Sequence, residues 1–346
     1  MNQSFPSHVG VIGLGYVGLT VATAFGRILP TVGFDIDSER VEQLKKGNDR
    51  NGEVSKGELE AEQLIFTTLL EDLVKADVFI VAVPTSIDTS KRPDLSHLKE
   101  ASRLVGKAIK IRNKLKKETS TFTKPLVVYE STSYPGCTED ICIPVIERES
   151  GLKACDGFEI GYSPERINPG DPDHTLSNVV KVVAAQNTET TDIMAGVYGM
   201  IVHAGIYKAP DIRTAEAAKA IENVQRDLNI ALMNELSMLF NHTGIQTNEV
   251  LKAARTKWNF LPFHPGLVGG HCIPVDPYYL THWAEEMGHQ PKVILAGREI
   301  NDSMSEYVAQ QIVTLIQKSG TPIENSKALI LGVTFKEDVR DVRNSQ

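Results

Sequence analysis

The sequence predicts an α/β protein with an N-terminal Rossmann-type doubly wound parallel sheet. A long central helix with a helical region follows, and then the start of a second α/β unit. Three observations carry this reading. Short apolar runs alternate with helical or polar segments, as parallel sheets require. The motif Gly13-Leu14-Gly15-Tyr16-Val17-Gly18 lies between one such run and an alanine-rich segment. From Asp211 to Thr243 there is neither Gly nor Pro, and apolar residues recur at helical spacing.

Residues 8–12 read as the first strand, and the glycine turn opens a helix that runs to about Arg27. Thr31 to Asp35, Val78 to Pro84, Leu126 to Glu130 and Glu159 to Ser163 read as further strands. At 1.5 Å per residue the Asp211–Thr243 helix spans about 45–50 Å, long enough to link domains or pair subunits. Leu261 to Pro277 is rich in Gly and Pro and reads as an ordered loop, with helix from Tyr278 to about Ser319. Ala328 to Val333 reads as a strand with no partner strand after it, so the chain is expected to stop at the start of another α/β domain. The expected domains are 1–208, 209–318 and 319–346.

With 346 residues, 41% apolar and 23% charged, the chain has the composition of a globular protein of more than one domain. A net charge of −8 argues against nucleic acid as a partner, and the basic stretch Lys107 to Lys117 reads as a solvated helix end and loop. No apolar run reaches membrane-spanning length, and the N-terminus lacks a basic and apolar leader pattern. The four cysteines, Cys137, Cys142, Cys155 and Cys272, have no metal-site pairing. No metal, no membrane insertion and a cytoplasmic location are expected.

A GxGxxG motif after a strand and before a helix is a dinucleotide fingerprint. Gly13 and Gly15 permit the tight turn and close approach to a pyrophosphate, and Gly18 lets helix and strand pack closely. Asp35 closes the next strand, where a carboxylate accepts ribose hydroxyls and repels a 2′-phosphate, so NAD is expected over NADP. Arg40 could favour the phosphorylated cofactor, although its ordinary reading is a solvated helix residue. Val83-Pro84-Thr85 and Glu130-Ser131-Thr132 follow strands, at the edge where open α/β sheets bind ligands. The candidate cofactor residues are therefore Gly13, Gly15, Tyr16, Val17, Gly18, Asp35, Arg40, Pro84, Thr85, Ser131 and Thr132.

Glu216, Lys219, Asn223 and Asp227 share one face of the long helix. Such a stripe is ordinarily solvated, but the apolar surroundings allow it to be buried, where a lysine becomes a candidate for catalysis. Cys272 follows Gly269-Gly270-His271 in a loop too glycine-rich for core packing, its glycines allowing a ligand to approach. A dehydrogenase that stops at a carbonyl has no use for a thiol. One that continues to an acid must hold the aldehyde covalently, so Cys272 points to a four-electron oxidation. His271, adjacent in an extended loop, is directed away from the thiol and is disfavoured as its base. Cys137, Cys142 and Cys155 read as inert.

Along nearly its whole length the chain resembles the UDP-glucose/GDP-mannose dehydrogenase family. The blocks that carry the resemblance are Gly13 to Leu19, Phe34-Asp35-Ile36-Asp37, Glu130-Ser131-Thr132, Glu216 to Asn223, Gly269-Gly270-His271-Cys272 and Phe335-Lys336-Glu337-Asp338. Tyr162 to Gly170, with Gly269 to Ile273, resembles the branch oxidising UDP-N-acetylhexosamines at C6, among which UDP-GlcNAc is the first expectation.

The resemblance implies a homodimer built through the long helix and a C-terminal domain that binds UDP. It also implies that Lys219 stabilises the alkoxide, Cys272 carries a thiohemiacetal and then a thioester, and Glu165 assists hydrolysis. Asn223 and Asp276 would hold water or the intermediate's oxygens, with Thr132 nearby. A second glutamate of the UDP-glucose branch is Pro169 here, and no role passes to it. Substrate contacts are implied for Glu165, Arg166, Ile167, Asn168, Lys219, Asn223, the loop Phe260 to Gly266 including Phe263, Gly269, Lys336 and Arg343. Arg255 resembles an arginine that relatives supply to the neighbouring subunit's substrate, with spacing to the cysteine one residue different. Gln346 stands where a proline is usual.

Overall fold

A computed structural model describes residues 5–115, 124–167, 171, 173–337, 339 and 341–346. Asn168, Lys116, Lys117 and Asp338 lie outside the described residues. The chain forms two compact units, residues 1–220 and 221–346.

The first unit is built on strands β1 (Val9–Ile12), β2 (Thr31–Phe34), β3 (Leu64–Thr67), β4 (Val78–Val81), β7 (Leu126–Tyr129), β8 (Glu159–Tyr162), β9 (Lys181–Ala185) and β10 (Ile206–Lys208). A two-residue ribbon, β5 (Ser86–Ile87) with β6 (Pro93–Asp94), lies outside that sheet. The eight strands run β10-β9-β8-β7-β4-β1-β2-β3. β1, β4 and β7 are buried along their whole length, as expected of strands with helices on both faces. The helices of this unit are α1 (Tyr16–Gly26), α2 (Ser38–Lys45), α3 (Lys56–Leu59), α4 (Ser96–Leu115), α5 (Ile143–Ser150) and α6 (Thr188–Gly199). Strand order reverses between β1 and β4, which opens a crevice at their carboxyl ends.

The expected parallel sheet has one exception, because β8 and β9 pair antiparallel. No helix intervenes between them among the described residues, and without a crossover the chain returns the other way.

Helix α7 (Ile212–Thr243) fulfils the expected long helix and is followed by α8 (Thr247–Ala254), α9 (Asp276–Glu286) and α10 (Lys292–Lys318). The helical stretch expected from Tyr278 to Ser319 is broken after α9, where Gly288 takes a left-handed φ of 76° and Pro291 precedes α10. Ala328 to Val333 is not a strand: its backbone is irregular, and Leu329, Ile330 and Leu331 are 84%, 78% and 86% exposed. An apolar run without a partner edge has no ladder to join.

Two arginines read as solvated are buried. Arg40 forms an ion pair of 2.7 Å with Asp49, both side chains 1% exposed. Arg112, in the basic stretch at the end of α4, pairs with buried Asp77 at 2.6 Å. In each case a buried carboxylate needs a counter-charge, and the helix presents one.

Candidate active site

The glycine turn after β1 is shaped as the fingerprint requires. Gly13 has φ 93°, and a Cβ there would lie 2.8 Å from the Ala82 carbonyl oxygen. At Gly18 a Cβ would come within 1.8 Å of the Gly13 carbonyl oxygen, so the close packing of α1 on β1 demands glycine. Gly15 differs from both: nothing lies within 4 Å of a Cβ built on it, and as N-cap of α1 it makes no side-chain cap to the helix. That open space against an uncapped, positively polarised helix end suits a pyrophosphate.

The Leu14 peptide is held from both sides, its N–H donating to Asp35 Oδ2 at 2.7 Å and its carbonyl accepting from Arg40 Nε at 3.0 Å. Asp35 Oδ1 accepts the Asp37 N–H at 2.9 Å, so the carboxylate is fixed at the strand end with lone pairs to spare for ribose hydroxyls. Arg40 Nη1 is buried without a hydrogen-bond partner among the described residues. Arg40 therefore serves first as a brace for the turn.

Across the crevice Ser131 Oγ donates to the Val83 carbonyl at 2.7 Å, tying the loop after β7 to that after β4, where Pro84 and Thr85 lie. Thr132, the next residue, is half-buried.

The stripe on α7 is buried throughout: Glu216 0%, Lys219 8%, Asn223 8% and Asp227 0% exposed. Glu216 accepts four hydrogen bonds, from Ser133 Oγ at 3.0 Å, the N–H groups of Gly136 and Thr138 at 2.6 and 2.9 Å, and Thr138 Oγ1 at 2.7 Å. Burial nonetheless pushes its carboxyl up to about 6. This nest anchors the segment after Thr132 one helical turn before Lys219. The Lys219 ammonium donates to the Glu165 carbonyl at 2.6 Å.

Glu165 is held by its own backbone. Its Oε1 accepts the N–H groups of Arg166 and Ile167, while Oε2 is buried without a hydrogen-bond partner among the described residues. Behind it stands Lys181 of β9, whose Nζ is 2.9 Å from Glu130 Oε2 and 3.9 Å from Glu165 Oε2. Tyr198 donates its hydroxyl to Glu130 Oε1. Burial raises the Glu130 carboxyl above its ordinary range; Lys181 opposes the rise and the Glu165 carboxylate adds to it.

In the second unit Cys272 is exposed, and the Val275 and Asp276 N–H groups donate to its carbonyl at 3.2 and 2.8 Å, leading into α9. Asn223 Nδ2 donates to Asp276 Oδ2 at 2.5 Å, so two implied catalytic residues meet in the interior of this unit. The space expected for a ligand at Gly269 and Gly270 is taken by the chain itself. A Cβ at Gly269 would lie 2.8 Å from the Asn344 carbonyl oxygen, and one at Gly270 2.8 Å from the Phe335 ring. Asn344 Nδ2 also donates to the Gly270 carbonyl at 3.0 Å. His271 Nε2 is buried without a partner among the described residues, and burial lowers the ring's affinity for a proton.

The loop Phe260 to Gly266 is pinned by Asn234, which accepts the Gly266 N–H at 2.8 Å and donates to its carbonyl at 3.0 Å. Arg255 Nη2 donates to the Phe263 carbonyl at 3.3 Å and so belongs to that loop's support. Arg343 pairs with Asp341 at 2.6 Å, and Lys336 is half-buried beside Phe335.

Comparison with known proteins decides the family. Residues 7–202 match the NAD binding domain of the UDP-glucose/GDP-mannose dehydrogenase family, and residues 213–303 match its central domain. The chain belongs to this family. Among family members, Protein CapL of Staphylococcus aureus is 52% identical over 339 residues, which are 98% of this chain and 77% of that one. UDP-N-acetyl-D-glucosamine 6-dehydrogenase of Pseudomonas aeruginosa is 51% identical, with 98% and 78% covered. The solved UDP-D-ManNAc dehydrogenase of Pyrococcus horikoshii superposes with TM-score 0.86 at 31% identity, covering 98% of this chain and 78% of that one.

As a member of this family the chain is an NAD-dependent nucleotide-sugar dehydrogenase, and the open space at Gly15, the uncapped α1 and the fixed Asp35 fit that cofactor. No described helix is long and apolar enough to cross a membrane, and the described residues hold no cluster of metal-ligating side chains. Three residues of these networks escape a reading by motif: Lys181, Tyr198 and Asn234. The one signal for Lys181 is a charge opening an otherwise apolar strand, Lys-Val-Val-Ala-Ala.

Proposed function

We propose that the protein oxidises the C6 hydroxyl of a UDP-N-acetylhexosamine, UDP-GlcNAc in the first instance, to the uronic acid through a thiohemiacetal and a thioester on Cys272. The observation that carries the reading is an exposed cysteine at the mouth of a helix-capping turn, in a chain half identical to UDP-N-acetyl-D-glucosamine 6-dehydrogenases.

Bound NAD would supply the hydride acceptor for each of the two oxidations, two per acid formed. Gly13, Gly15, Tyr16, Val17 and Gly18 would take its pyrophosphate and Asp35 its ribose, with Arg40, Pro84, Thr85, Ser131 and Thr132 completing the crevice. The Lys219 ammonium has one acceptor among the described residues, the Glu165 carbonyl, which leaves N–H bonds to stabilise the sugar alkoxide. The Cys272 thiolate adds to the aldehyde carbon and retains it for the second oxidation. Glu165 takes a proton from the water that hydrolyses the thioester, and the Asn223–Asp276 pair holds oxygens of the intermediate or that water.

Glu165, Arg166, Ile167, Asn168, Arg255, Phe260, Phe263, Gly266 and Gly269 serve the sugar side. Gly269, closed off by Asn344, acts through the backbone, and Lys336 and Arg343 serve the nucleotide. Residues 1–208 form the NAD-binding domain, 209–318 the central dimerisation region, and 319–346 part of a UDP-binding domain. Ile221, Leu232 and Leu239, each at least half exposed on one stripe of α7, support a homodimer. The setting is cytoplasmic synthesis of a surface polysaccharide precursor.

A second reading, UDP-ManNAc as substrate, is favoured by the structural likeness to the Pyrococcus horikoshii enzyme. Assay with UDP-GlcNAc, UDP-GalNAc, UDP-ManNAc and UDP-glucose ranks the epimers by kcat/KM. Two NADH per sugar are expected, and one NADH with an aldehyde or ketone product overturns the proposal. Cys272→Ser is expected to keep NAD binding and lose acid formation; uronate produced at the wild-type rate rules out the covalent step.

A further inference from the structure

Two carboxylates of the first unit share a single ammonium. We infer that Lys181 and Glu130 are positioning residues that set the charge on Glu165, and through it the pH range in which the thioester is hydrolysed. The inference rests on the hydrolytic role proposed above for Glu165.

The geometry restricts Glu165 severely. Its Oε1 is locked by two backbone N–H groups, so the carboxylate cannot turn to seek a partner. Oε2 is buried with no hydrogen-bond donor among the described residues. A buried carboxylate without a counter-charge takes up a proton, and a protonated one cannot accept another from water. The buried group that opposes this is Lys181, 3% exposed, with its Nζ 3.9 Å from Oε2, too far for a hydrogen bond but close enough for charge to act.

Lys181 is not free to serve Glu165 alone. Its nearer partner is Glu130 Oε2 at 2.9 Å, the other Glu130 oxygen is capped by the Tyr198 hydroxyl, and the Tyr198 ring lies 5.2 Å from Nζ. Of the other charges beside Glu165 among the described residues, Lys219 donates to its main-chain carbonyl, and Arg166 Nη1 donates to the Val180 carbonyl at 3.0 Å. Glu130 and Glu165 thus compete for one cation, so removing the cation and removing the competitor act on Glu165 in opposite directions.

In the step itself the water oxygen bonds to the thioester carbon and its proton passes to Glu165. The carbon–sulfur bond breaks, and Cys272 leaves as thiolate. The acid limb of this step follows the protonation of Glu165.

The test is the pH dependence of acid release from the enzyme-bound thioester, measured by single-turnover quench with UDP-GlcNAc and NAD, for wild type, Lys181→Met, Lys181→Arg and Glu130→Gln. Thermal unfolding of each variant is run alongside. Lys181→Met is expected to move the acid limb to higher pH by about 1–3 units, the range for a carboxylate losing an adjacent cation. Lys181→Arg should return it toward wild type, and Glu130→Gln should move it to lower pH. A merely structural defect lowers the rate without shifting the limb in opposite senses. Shifts of the same sign, or none, overturn the inference while two NADH per sugar are still formed. If Lys181→Met does not fold, the downward shift in Glu130→Gln decides alone: its presence supports the inference and its absence overturns it. One NADH per sugar from the wild type instead overturns the covalent reading beneath it.

Discussion

Asp35, Glu165 and Glu216 of the first unit are held largely by backbone, whereas Asp227 and Asp276 of the second lean on other side chains. Asp35 takes the N–H groups of Leu14 and Asp37, Glu165 those of Arg166 and Ile167, and Glu216 those of Gly136 and Thr138. In the second unit Asp227 depends on Arg298 at 2.6 Å and Asn301 at 2.7 Å, and Asp276 is held by Asn223. Backbone donors arrive with the fold and only proline removes one, whereas side-chain donors can be deleted singly. Asp227 and Asp276 are therefore the more easily undone.

The largest expected effect is on stability. Arg298→Met leaves Asp227, 0% exposed, without its cation, and a loss of about 3–5 kcal/mol is expected in urea unfolding. Arg40→Met is the matching change in the first unit. Asp49 keeps three backbone donors, from Asn51, Glu53 and Val54, so the loss should be clearly smaller. Equal losses break the comparison.

Next in size is Lys219→Ala, expected to slow the first oxidation by about 10²-fold or more, read from the NADH burst. Glu216 sharpens the comparison from the other side, since even four donors do not offset its burial. Its carboxyl, raised to about 6 from an ordinary 4.5, favours the fold while protonated. That contribution is whole below about pH 4.5 and is lost as pH rises through 6, a change of about 2 kcal/mol. Glu216→Gln should gain on wild type by that amount over the same interval in urea unfolding at stepped pH. The smallest effect is Asn234→Ala, which frees both polar groups of the Gly266 peptide. It should raise KM for the UDP-sugar about tenfold with kcat little changed, since one lost pair of hydrogen bonds is worth about 1–2 kcal/mol.

The fingerprint turn, the strands leading to Asp35, Pro84 and Glu130, and the shared face of the α7 stripe were legible, because glycine spacing and 3.6-residue periodicity are local properties, whereas the burial of that stripe was only one of two open readings. β3, β9 and β10 were not: four residues with Ile65 exposed, a strand opening on a lysine, and a three-residue edge carry too little pattern. Ala328 to Val333 shows the converse, with the composition of a strand and no strand paired with it among the described residues. Arg40 and Arg112 were misread because a buried ion pair is invisible until its partner, Asp49 or Asp77, is placed beside it. The contacts of Asn344 and Phe335 at Gly269 and Gly270 were not legible for the same reason, since they come from about seventy residues downstream.

That last contact has a consequence for how the protein is made. Chains emerge from the ribosome N-terminus first, at about 5–20 residues per second, and domains fold as they appear. The glycine turn after β1 can form long before residues 335–344 are made, but the turn bearing Cys272 cannot receive Phe335 and Asn344 until those residues have left the exit tunnel. During translation the glycine turn of the first unit is thus complete while the turn bearing Cys272 still waits for Phe335 and Asn344.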